Sequence, residues 1–107
     1  MLEEAQRAVE FTRGMGKAEF LADTRTIYAV VRCINIIGEA ANAVSEDARD
    51  GLPEVPWHAV RGMRNRLIHE YFEVDLSVLW NTVDKRIPQL IQILLRLPPD
   101  AVAQADA

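Results

Sequence analysis

The chain of 107 residues has one cysteine, two histidines, five glycines and few aromatics, and each scarcity excludes something. Cys33, standing alone, can form no intramolecular disulfide and no cysteine-based zinc cluster. No apolar run approaches the roughly 18 residues of a membrane span. Met1-Leu2-Glu3-Glu4 opens with acids where a secretory signal would be basic. A soluble cytoplasmic protein is the expectation. The formal net charge of -4 argues against broad charge-driven binding to nucleic acid, but it leaves room for a local basic site. The sequence contains no internal repeat and no glycine-rich phosphate loop.

What is present is helical periodicity. Half of the residues are apolar, in a chain long enough for one domain that buries about 60–68% of its unfolded surface. Leu2, Ala5 and Val9 predict a helix over 2–13, stopped by Gly14 and Gly16. Lys17 to Leu21 make a short helical turn with Phe20 and Leu21 packing down, and Asp23 or Thr24 caps the next element. Ile27, Val30, Val31, Ile34, Ile37, Ala41 and Val44 trace an apolar stripe that predicts one long helix over 24–48. Within it Gly38, Ala40, Ala41 and Ala43 are small enough to let another helix approach closely. Residues 50–56 are a loop by composition, with Pro56 expected at the first position of a helix over 57–69.

Residues 71–74 read as an extended or irregular exit, and Asp75 as the cap of a last helix that buries Leu76, Leu79, Trp80, Val83, Ile87, Leu90, Ile91 and Leu94. Pro88 predicts a kink near 84–88. Pro98-Pro99 ends the helix, leaving residues 98–107 as a disordered tail. The fold class is therefore all-α, a single-domain up-and-down bundle of four to five helices. Its surplus apolar surface suits a partner helix or a second copy.

Chemistry concentrates in Arg64-Asn65-Arg66-Leu67-Ile68-His69-Glu70-Tyr71. Trp57 to His69 holds three arginines and no acid. On a helix Arg61, Asn65 and His69 share a face, whereas Arg64 and His69, five apart, diverge by about 140°. They converge only if the arginine reaches round, the helix ends near His69, or a second subunit completes the site. His69 has an unperturbed pKa of roughly 6.5, suited to proton transfer at neutral pH; the plainer reading is a histidine favoured by the helix C-terminal dipole. Arg64 reads as a phosphate ligand or as the salt-bridge partner of Glu39, and both hold together if the carboxylate fixes the guanidinium fork. Asn65 is placed to orient the imidazole or a phosphate. Arg61 and Arg66 read as solvated cations available to a polyanion, and Tyr71 as an aromatic with its hydroxyl in water. His58 reads as solvated or as a local packing residue. Within the motif helix no second histidine or carboxylate stands three or four residues from His69, which gives a metal site little support.

Arg64-Asn65, three residues, His69, then Glu70-Tyr71-Phe72 resembles the Arg-x4–6-His signature of HEPN domains, in the His-x-Tyr form of HepT-like toxins. Ile36 to Asn42, Pro53 to Trp57, Gly62 to His69 and Tyr71 to Asp75 look like that family in the same order, across nearly all of residues 1–97. The resemblance implies a HEPN-like homodimer in which Arg64 and His69 are catalytic, Asn65 and Glu39 support them, and Arg61 and Arg66 bind RNA. It implies a metal-independent endoribonuclease, the toxin of a prokaryotic type VII toxin-antitoxin pair. The antitoxin would be an MntA-like nucleotidyltransferase that modifies Tyr71 with AMP. Glu70 departs from the glycine usual between histidine and tyrosine; an acid there would raise the affinity of His69 for its proton or repel RNA. Members of the family begin further upstream, so a clipped or late start is expected. The alternative is a non-catalytic helical subunit that binds a nucleotidyltransferase.

Overall fold

A computed structural model describes residues 1–67 and 75–98. Helices α1 (Leu2–Phe11), α2 (Lys17–Leu21), α3 (Thr24–Ala43), α4 (Glu46–Asp50), α5 (Trp57–Leu67), α6 (Leu76–Asn81) and α7 (Ile87–Arg96) follow one another, with a π-helical turn at Thr82–Arg86 joining the last two. No strand occurs among the described residues, and no helix among them is long and apolar enough to cross a membrane.

Local chemistry explains the boundaries. The α1 helix closes through Thr12, and Gly14 then adopts φ +77°, a left-handed conformation that costs a side-chain-bearing residue about 1 kcal/mol or more. Asp23 caps α3 by accepting from the Thr26 N–H at 3.1 Å. Those hydrogen bonds, the Thr26 backbone first, hold its carboxyl below the usual range. Asp75 caps α6 by accepting from the N–H groups of Ser77 and Val78, both at 3.1 Å.

The predicted long helix is shorter than expected. It ends at Ala43, Val44 turns extended (ψ 131°), and Ser45 starts α4 by accepting from the Ala48 N–H at 3.1 Å. The apolar stripe does run on into Val44, which is buried, but the hydroxyl cap beside it makes a new helix start more favourable than continuation. Pro56 precedes α5 instead of opening it: its carbonyl accepts from the Val60 N–H at 3.0 Å. Leu76, expected inside, is 38% exposed although it shares the stripe of Leu79 and Val83, because it is the first residue after the Asp75 cap, at the open end of the helix. At Pro88 the chain widens into the π turn, in which the Ile87 N–H bonds to the Thr82 carbonyl. Widening relieves the clash of the proline ring with the preceding turn, so the disturbance falls where the kink was expected but as a change of helical pitch.

The core joins α1, α3, α5, α6 and α7 through Ala5, Ala8, Val30, Ile34, Ile37, Val60, Leu79, Ile87, Leu90 and Leu94. Phe20 of α2 is fully buried, with its ring centroid 5.3 Å from that of Trp80. Burying a phenylalanine this way contributes roughly 1.5–3 kcal/mol, before the aromatic pair is counted. The α1 helix packs on α3 and α7, and α3 carries α5 on another side. Cys33 is buried against α1, where burial first and the charge of Glu4 second push its thiol up to about 11.

Candidate functional site

The predicted site residues rise from α5, whose position is set by α3. A Cβ at Gly38 would lie 3.9 Å from the Arg61 carbonyl oxygen and 4.0 Å from Arg64 Cβ, so the motif helix rests on the smallest part of α3. One turn further along α3, Asn42 Oδ1 accepts a hydrogen bond from Arg61 Nε at 2.7 Å. This contact bridges 19 residues of sequence and fixes one edge of the guanidinium, leaving its terminal nitrogens for another acceptor. Arg61 is therefore not the loosely solvated cation its sequence suggests.

Arg61, Arg64, Asn65 and Arg66 are all exposed, and none of the three arginines forms an ion pair with a described carboxylate. Glu39, the expected partner of Arg64, is exposed on α3, and no ion pair joins the two among the described residues. Gly38 lies under the Cβ of Arg64, so the base of that side chain rests on the small face of α3. Arg64 and Arg66 lie in the last turn of α5, where the helix dipole favours cations.

Two concavities flank the helix. One, of about 270 Å³, is lined by Asn42, His58, Arg61, Gly62 and Asn65. It brings together two residues singled out from the sequence, Arg61 and Asn65, with two that were not assigned to the site, Asn42 and His58. Asn42 could have been found only from the stripe it shares with Gly38, four residues earlier. The other concavity lies towards α6 and includes Arg66. A further polar group faces inward on α3: Asn35 Oδ1 is buried and has no hydrogen-bond partner. His69, Glu70 and Tyr71, and with them the expected exit over 71–74, lie outside the described residues. Among the described residues no group of three His, Cys, Asp or Glu side chains could hold a metal ion.

Three guanidiniums without a described carboxylate partner thus stand exposed along α5 in a chain of net charge -4, with Arg61 and Asn65 on one flank and Arg66 on the other. Comparison with known proteins identifies the family. The family model described as "Ribonuclease HepT-like" matches residues 1–97. A Thermococcus cleftensis protein named as a probable ribonuclease HepT is 44% identical over 83% of this chain and 84% of its own. Two proteins named as candidate RNases are also similar. The one from Methanocaldococcus jannaschii is 40% identical over 84% of this chain and 83% of its own. The one from Caldanaerobacter subterraneus is 38% identical over 84% of this chain and 80% of its own. No solved structure matches the chain. With a family match that runs from α1 through the motif helix to the end of α7, the chain belongs to the HepT-like ribonuclease family.

Proposed function

We propose that this protein is a metal-independent endoribonuclease that works as a homodimer, with Arg64 and His69 of two motif helices meeting around one RNA phosphate. The observation that carries the proposal is the row of arginines on α5, without carboxylate partners among the described residues, with Arg61 and Arg64 seated on α3 at Gly38. In the reaction the 2′-oxygen bonds to phosphorus as the bond to the 5′-oxygen breaks. One imidazole takes the 2′-hydroxyl proton and another delivers a proton to the leaving oxygen, giving a 2′,3′-cyclic phosphate. Arg64 balances the charge that develops on the phosphate oxygens, and Asn65 orients the imidazole or the phosphate. Dependence on the 2′-hydroxyl makes the enzyme specific for RNA over DNA.

The biological setting in this reading is a type VII toxin-antitoxin pair. An MntA-like nucleotidyltransferase would silence the toxin by adding AMP to Tyr71, which sets a bulky phosphodiester where substrate phosphate must bind. The test is incubation of the purified protein with total RNA in EDTA, beside His69→Ala and Arg64→Ala variants, after intact mass has confirmed an unmodified chain. Cleavage by the parent alone supports the reading; an inactive parent replaces it with a non-catalytic binding subunit. Co-expression with the nucleotidyltransferase should add AMP mass that Tyr71→Phe prevents, and an unchanged mass would remove the modification.

A further inference from the structure

The second concavity beside the motif helix is an open groove of about 520 Å³ between α5 and the α6–π segment. Its floor is apolar, from Met63 and Val78, and its walls carry Arg66 on one side and Ser77, Asn81 and Arg86 on the other. Thr82, also in the wall, spends its hydroxyl on the Val78 carbonyl at 2.8 Å, but Arg66, Ser77, Asn81 and Arg86 keep their side-chain polar groups free of described partners.

The alignment of this wall depends on the π turn. Ser77 and Asn81 are four apart and stack on one face of α6. Asn81 and Arg86 are five apart, which on an α-helix would turn the arginine away by about 140°. In the π turn the hydrogen bond runs from i to i+5 and each turn holds more residues, so Arg86 comes round far enough to line the same groove as Asn81. A helix irregularity thus places a second arginine across an apolar floor from Arg66.

We infer that this groove is a binding subsite for single-stranded RNA next to the cleavage site, with Arg66 and Arg86 gripping one backbone phosphate and a base lying on Met63 and Val78. The assignment rests on the ribonuclease reading for the identity of its ligand and adds Arg86, Asn81 and Ser77 to the residues that hold it. An unpaired base presents an apolar face and a neighbouring phosphate, which matches a floor without charge and walls with two cations.

The experiment measures fluorescence anisotropy of a 5′-labelled single-stranded RNA on the full-length protein carrying His69→Ala, at several salt concentrations. Further variants are Arg66→Ala, Arg86→Ala, their combination, and Lys17→Ala as an exposed cation outside the lining of the groove; thermal melting checks that each is folded. Each arginine change should weaken binding about five- to tenfold and flatten the dependence of log K on log salt by about 0.7. The double variant should lose less than the product of the two single losses, because both grip one phosphate. Lys17→Ala should bind as the parent does. Unchanged binding by folded Arg86→Ala, equal weakening by Lys17→Ala, or tighter binding of free AMP than of RNA would each overturn the subsite. His69-dependent cleavage with Arg86-independent binding removes the groove alone. Arg86-dependent binding without cleavage removes the catalytic reading and leaves the groove.

Discussion

Gly38 is a glycine in the middle of a 20-residue helix at a place where alanine would fit. The nearest atoms to an added methyl, the Arg61 carbonyl oxygen at 3.9 Å and Arg64 Cβ at 4.0 Å, are at ordinary contact distance. Gly38→Ala should therefore stabilise the protein by about 0.5–1 kcal/mol, through the smaller backbone entropy lost on folding. For a domain of this size that corresponds to a rise in Tm of about 2–6 °C. Gly38→Leu should instead destabilise by about 1–3 kcal/mol, since the added branches must push α5 from α3. Thermal melts by circular dichroism, at one protein concentration so that self-association is held constant, read both changes. A Tm for Gly38→Ala at or below that of the parent would refute the packing described for α3 and α5. RNA cleavage should persist in Gly38→Ala and fall in Gly38→Leu, where Arg61 and Arg64 are displaced together.

Three further outcomes follow from the structure. Gly14→Ala should cost about 1 kcal/mol by denaturant titration, because φ +77° is left-handed; a neutral result would mean that the turn after α1 is different. Cys33 should resist thiol reagents in the folded protein at pH 8. Because folding raises its pKa from 9.0 to about 11, the stability it contributes is complete below about pH 9 and is lost as pH rises through 11. Cys33→Ala should flatten that alkaline loss, and identical alkaline profiles would contradict the burial. Asn35→Leu removes a buried oxygen without a partner and should be neutral or stabilising by about 1 kcal/mol; a large loss of stability would show that the oxygen is bonded.

Local chemistry made much of this fold legible. Asp23, Asp75 and Gly14 announce their roles because a cap or a left-handed turn is decided within three or four residues. The stripe from Ile27 to Val44 showed which face of α3 is inside, but it hid the break at Ser45, since apolar periodicity continues across a change of helix. The site was legible in part. Arginines without neighbouring acids are visible in a string of letters, and so is the small face at Gly38 that receives them. The Asn42–Arg61 bond was not, because a partner 19 residues away on another helix leaves no local signature. Glu39 seemed the natural mate of Arg64 on charge alone, whereas the described contact beneath Arg64 is between its Cβ and the neighbouring Gly38. Arg86 escaped attention because the helical period used to read the last helix does not hold through residues 82–86.

A π turn is also a statement about chain length. It accommodates one residue more than an α-helix of the same rise, so deleting any single residue from 82–86 would let the segment relax to α geometry. The α7 helix would then keep its facing, with Ile87, Leu90 and Leu94 still turned to the core they share with α1; imposing α geometry with every residue retained would instead rotate it by about 100° relative to α6. A single deletion between Thr82 and Arg86 should accordingly be tolerated and a further insertion there rejected, because the register of the bundle already absorbs one surplus residue.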